Sequence, residues 1–155
     1  MPQLPHQDVY TRLGRSRRHG IGVFAIRTIP KGTFVFPEDH ERMIWVPEAK
    51  VRNLPKALKS FYDDFSIIRN GRYGSPRRFD ALTPAWYLNH SNQPNLAADR
   101  SYRFYALRDI REGEELTVDY NTYSELPVQR TSQHRRRSGV KPTGKGRNRP
   151  TRERI

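Results

Sequence analysis

Apolar positions along this chain come in short bursts rather than long runs. Val23-Phe24-Ala25-Ile26 and Thr33-Phe34-Val35-Phe36 each read as a β-strand, the second ended by Pro37. Met43 to Val46 reads as a third. Between the first two, Ile29-Pro30-Lys31-Gly32 reads as a turn, because proline fixes one dihedral and glycine tolerates positive φ. Residues 1–12 read as a leader feeding a first strand. Residues 13–22, with Gly14, Gly20 and Gly22, read as a loop. Further on, Tyr102, Phe104 and Ala106 alternate with Arg103, Tyr105 and Leu107, which predicts a strand. Arg111 to Glu114 is then a turn and Leu116 to Val118 the final strand. Arg78 to Leu82 also reads as a short strand.

One segment keeps a different period. Val51, Leu54, Leu58, Phe61, Tyr62 and Phe65 fall mostly at steps of three and four, the repeat of an amphipathic helix. Pro55 suits its first turn. Val51 and Leu54 then belong to a preceding turn or a short separate helix. Thr83-Pro84 opens a helical turn leading to Leu88. The pattern predicts a mostly β protein with one or two short helices and long irregular connections.

Composition changes this picture at the C-terminus. After Leu126 the chain carries ten Lys and Arg and one acid, Glu153, within an overall formal charge of +13. Apolar residues almost vanish from Val128 onward. Such a segment buries too little surface to offset its ordering entropy. The expected organisation is a folded domain over 1–127 and a basic, disordered tail over 128–155. The chain has no cysteine, which excludes disulfides and thiolate zinc sites. No apolar run approaches the roughly 18 residues a membrane span needs, so no membrane partner is expected. Met1 to Asp8 lacks the apolar stretch of a secretory signal. The expected location is cytoplasmic, or nucleoid or nuclear given the basic tail, with delivery into a host left open. Oligomeric state is not legible in the sequence.

Three segments carry candidate chemistry. Gly20-Ile21-Gly22 places two glycines before the first apolar strand, where backbone can approach a ligand without Cβ clashes. Asn89-His90-Ser91-Asn92-Gln93-Pro94-Asn95 offers an amide, an imidazole and exposed main chain, which suit polar recognition. His6, His19, His40, His90 and His134 show no ligand spacing for zinc, and no Gly-x-Ser-x-Gly elbow supports a nucleophilic triad. Glu115-Leu116-Thr117-Val118-Asp119-Tyr120 reads as a strand with Leu116 and Val118 in the core, ending in Asp-Tyr.

Taken together and in this order, the segments resemble the paired signatures of SET-domain protein-lysine methyltransferases, especially the short, cysteine-free bacterial and viral type. The likeness covers roughly residues 15 to 123 and is weakest over 47–78. It implies a β-clip architecture of small sheets, with the C-terminal motif threaded in a pseudoknot-like way. It implies S-adenosyl-L-methionine as cofactor, bound by Gly20, Ile21, Gly22, Asn89 and His90. It implies transfer of methyl groups to lysines of a protein substrate, histone or histone-like, with Tyr120 beside the methyl-transfer axis. Val118, Tyr123 and Tyr87 are the implied substrate-channel residues, with Trp86 and Leu126 as further candidates for its wall. Many relatives close that channel with a cysteine-rich zinc segment; here no metal is implied, and the wall must come from elsewhere. A second reading rests on the tail: nucleic-acid binding without sequence preference, or partner binding on a catalytically weak SET fold.

Overall fold

A computed structural model describes residues 5–39 and 42–125. The expected tail lies outside these residues. Among the described residues, nine short strands form three small sheets, with two helices inserted after the third strand. The predicted class is therefore the one found, and the corrections to it are local.

β1 (Thr11–Arg15) and β2 (Ile21–Ala25) are antiparallel, with Gly14 opposite Gly22. This overturns the loop expected over 13–22; only residues 16–20 turn. The glycines here serve close approach inside a sheet. A Cβ at Gly14 would stand 3.0 Å from Cδ2 of Phe24. Only Gly20 of this group uses positive φ, at +47°.

Thr33 to Phe36 makes a single bridge, Phe34 to Tyr105, in place of a full strand. Pro37 and the turn at Lys31-Gly32 confine it to that length. β3 (Ile44–Pro47) is the strand expected near Met43. The helical period resolves into α1 (Glu48–Arg52) and α2 (Lys56–Phe65), with Pro55 as the residue entering α2. Val51 of α1 is fully buried, whereas no residue of α2 is. α2 lies along the margin, where Phe61 stacks on Phe79 and Phe65 packs against Tyr87.

β4 (Ile67–Arg69) and β5 (Arg72–Ser75) form a hairpin the sequence reading missed. Its two-residue connection is Asn70-Gly71, both with positive φ, a primed turn that matches the right-handed twist of the strands. Arg78 to Leu82 is a turn and not the expected strand, because Arg78 folds back onto the Asp80 carboxylate, with Nε 2.9 Å from Oδ1. A 3-10 turn follows at Pro84–Tyr87.

The sheet that places the site has the order β1-β2-β9-β6. β6 (Asn89–His90) runs parallel to β9 (Glu115–Val118), pairing Asn89 with Thr117 and His90 with Val118. β9 is thus inserted between β2 and β6, which is the threading that the resemblance implies. β7 (Leu96–Ala98) and β8 (Phe104–Ala106) form the hairpin between these two segments. Beyond β9, the Glu125 N–H donates to the Ile68 carbonyl at 2.9 Å, tying the chain back to β4. The core is one cluster built around Val23, Ile29, Leu96, Ile110, Leu116 and Val118.

Candidate active site

Tyr120 stands one residue beyond β9, after Asp119, and opens a 3-10 turn, Tyr120–Thr122, whose first N–H groups need partners. The Asp119 carboxylate accepts from the Asn121 N–H at 3.0 Å and fixes that turn. The Tyr120 N–H donates to Nδ1 of His90 at 3.2 Å. An accepting Nδ1 puts the ring proton on Nε2, which lies 3.0 Å from Oδ1 of Asn92. The two rings are 5.3 Å apart. Tyr120 is 7% exposed, and its phenol donates a short hydrogen bond to the Leu88 carbonyl. Leu88 and His90 therefore both hold Tyr120, and Asn89 between them pairs with Thr117 of β9.

Asn89 faces the glycine turn. Its amide nitrogen donates to the carbonyls of His19 (3.1 Å) and Ile21 (3.3 Å) and to Oε1 of Glu115 (2.9 Å). The same carboxylate accepts from Ser16 Oγ at 2.7 Å. Glu115 is the residue the sequence reading left without a role. A Cβ at Gly22 would collide with its Oε1 and stand 3.1 Å from the Ser16 Cβ, so glycine at 22 is what admits this carboxylate. The legible hint was an acid opening a strand whose other residues are buried or nearly so. Gly20 has open space where a side chain would stand, and Ile21 projects outward, half exposed.

On the other side of Tyr120 lies a cavity of about 370 Å³. Its wall is largely aromatic: Phe36, Trp45, Tyr102, Phe104, Tyr120 and Tyr123. Tyr123 meets the Tyr120 ring edge-on at 6.2 Å and the Phe104 ring at 5.9 Å. Leu88 and Trp86 also line it. Of the expected channel residues, Tyr123 is on this wall. Val118 is fully buried in the core, and Tyr87 packs against Phe65; neither is on the wall. Leu126 lies outside the described residues. Trp45, Tyr102 and Phe36 were not singled out in the sequence. They come from segments far apart in the chain, and only folding shows that they meet.

A β9 strand threaded between the glycine hairpin and an Asn-His segment, with a buried tyrosine at its end, defines a class. Residues 20–121 match the SET-domain family, and the chain belongs to it. It is 32% identical over 118 residues to the histone-lysine N-methyltransferase, H3 lysine-36 specific, of Schizosaccharomyces pombe, covering 68% of this chain and 14% of that protein. It is 30% identical over 137 residues to the histone-lysine N-methyltransferase, H3 lysine-4 specific, of Chaetomium globosum, covering 80% of this chain and 12% of that protein. The chain thus spans 12–14% of the length of these relatives. In fold it is similar to a chain of apo ctPRC2 carrying two substitutions in Ezh2. That match has a TM-score of 0.53 at 22% identity, over 72% of this chain and 15% of the other.

Proposed function

We propose that this chain is an S-adenosylmethionine-dependent protein-lysine methyltransferase with Tyr120 at the point of transfer. The observation that carries this reading is the convergence of the Tyr120 phenol and the Leu88 carbonyl on the buried wall of an aromatic cavity. At about 370 Å³ the cavity falls in the ~300–1,000 Å³ range of small-molecule sites. An alkylammonium side chain can enter it and meet Tyr120 and Leu88 on its wall.

The residues present fit the cofactor. S-adenosylmethionine supplies an electrophilic methyl group on a sulfonium. The Leu88 carbonyl and the Tyr120 oxygen offer it partial negative charge. The open Gly20 turn, the carbonyls of His19 and Ile21, and Asn89 give the polar surface an amino-acid group requires. We assign Gly20, Ile21, Gly22, Asn89 and His90 to this side and the aromatic cavity to the lysine.

The chemistry requires a neutral amine. With a pKa near 10.4, only about one lysine in 2,500 is neutral at pH 7. An apolar wall disfavours the ammonium by desolvation. Tyr120, anchored through Leu88 and His90, can accept a hydrogen bond from the amine and aim its lone pair. The entering ammonium first releases its proton to water; as the amine lone pair forms the C–N bond, the methyl–sulfur bond would break with its electron pair left on sulfur, giving a neutral thioether and a methylated ammonium. The relatives named above are specific for lysines of histone H3, which supports a histone or histone-like protein as substrate and a nuclear or nucleoid location. Nucleic-acid binding through the tail concerns residues outside those described.

Calorimetry of the full chain with S-adenosylmethionine tests the cofactor side. Binding is expected, and Asn89→Ala should weaken it at least tenfold, since one lost charge-assisted hydrogen bond is worth about 1.5–3 kcal/mol. Unaltered affinity in a folded Asn89→Ala protein would remove Asn89 from the site.

A further inference from the structure

The rim of the aromatic cavity carries charge of one dominant sign. Arg42, Arg100 and Arg103 all line it and are exposed to solvent, which puts them on its open side, and the half-buried Asp39 is the acid among its lining residues. The Asp39 carboxylate accepts from Thr83 Oγ1 at 2.6 Å. Arg103 is paired with Asp99 at 2.9 Å, and that carboxylate is further occupied by the backbone N–H groups of Ser101 and Arg103. No ion pair within the described residues engages Arg42 or Arg100. A further guanidinium, Arg69, reaches the Tyr102 hydroxyl at 2.8 Å and sits over its ring. Tyr102 is itself on the cavity wall. The lining thus holds three guanidinium groups, one of them paired with Asp99, against a single lining carboxylate, Asp39, so its balance is positive.

Two consequences follow for a polypeptide entering this mouth. A lysine flanked by Lys or Arg would bring like charges together, which is unfavourable across an interface. A lysine flanked by Asp or Glu would meet arginines able to form charge-assisted, bidentate hydrogen bonds. The same positive rim disfavours the ammonium form of the entering lysine, and so promotes the neutral nucleophile. We infer that the cavity mouth selects lysines flanked by acidic side chains, with Arg42 and Arg100 as the residues that set this preference. This rests on the methyltransferase reading and narrows its substrate to segments whose acidic groups adjoin the target lysine.

The test compares two peptides that differ only in flanking residues, Asp/Glu against Lys/Arg, as substrates of the full chain. The acidic peptide is expected to have roughly tenfold higher kcat/KM at low salt, the scale of two exposed ion pairs together. The ratio should shrink as salt rises. Arg42→Glu/Arg100→Glu should reverse the preference, and Arg42→Gln/Arg100→Gln should abolish it if the reversal variant does not fold. Equal use of both peptides, preference for the basic one, or an acidic preference that survives both variants would overturn the inference. If neither peptide is methylated, fluorescence anisotropy with the same labelled peptides separates the two ideas. Acidic-peptide binding that depends on Arg42 and Arg100 would uphold this selection while the methyltransferase reading fails. No binding, or binding of a short single-stranded oligonucleotide in preference to the acidic peptide, would overturn the selection itself.

Discussion

At the scale of single residues, Tyr120 and Gly22 carry the account. Tyr120→Phe removes one oxygen and leaves the ring in place. The Leu88 carbonyl then loses its donor in a buried position, which should cost about 1–3 kcal/mol of stability. Methyl transfer should fall by about a hundredfold or more, the scale of removing one oriented hydrogen-bonding group at a reacting centre. Thermal unfolding and turnover measured on the same preparation distinguish the two effects. Gly22→Ala should act differently. Its Cβ would displace the Glu115 carboxylate that holds Ser16 and Asn89. A loss of about 1–3 kcal/mol is expected, and thermal denaturation with an unchanged midpoint would show that the carboxylate moves aside freely. Tyr120 stands out in the sequence because a strand ending in Asp-Tyr occurs in a family-like order. Glu115 was not, because a carboxylate gains its meaning only when Ser16 and Asn89 are brought to it from 99 and 26 positions away.

At the scale of elements, β9 is held by a side chain acting as a strand. The Asn95 amide nitrogen donates to the Glu115 carbonyl at 2.9 Å, and its oxygen accepts from the Thr117 N–H at 2.8 Å. Asn95 is 3% exposed, so neither main-chain group has water to replace it. Asn95→Ala should cost about 2–4 kcal/mol, two buried polar groups being orphaned. Hydrogen exchange at the Thr117 amide should accelerate with it, and retained protection there would refute the bridging role. Strands with clear apolar bursts, β2 and β9, were readable in advance. The β4–β5 hairpin carries an Asn70-Gly71 turn signal, but the polar Arg69 and Arg72 on either side mask the alternation of its strands. β1 was hidden for a different reason: Gly14 suggests a turn, whereas it makes room for the Phe24 ring. The helix period was correct for α2, yet its apolar face meets the rings of Phe79, Tyr73 and Tyr87 at the margin and not the main core.

At the scale of the whole molecule, carboxylates held by arginines tie stability to pH. Glu114 has its carboxyl held below its usual value of 4.5, chiefly by hydrogen bonds from Arg108. Asp99 is likewise lowered from 3.8, first by the Arg103 backbone N–H. A depressed carboxylate contributes stability that is complete above its unfolded pKa and is lost as pH falls through the folded one. The melting temperature should therefore decline below about pH 4.5, and Glu114→Gln should decline less steeply over the same window. Identical slopes for the two proteins would remove Arg108–Glu114 from this role. The cavity, by contrast, is assembled from residues spread between Phe36 and Ser124 and so depends on the whole fold being closed. Its aromatic wall was illegible in the sequence for that reason, whereas the family and its threading were legible from local motifs. The central claim is that this fold moves a methyl group to a lysine across Tyr120. The most direct measurement is mass spectrometry of a candidate proteome after incubation with isotopically labelled S-adenosylmethionine and either the full chain or its Tyr120→Phe variant. The account predicts label on lysine side chains with the unaltered chain and almost none with the variant, while both bind cofactor. No labelled lysine with the unaltered chain, or equal labelling by the two proteins, would contradict it.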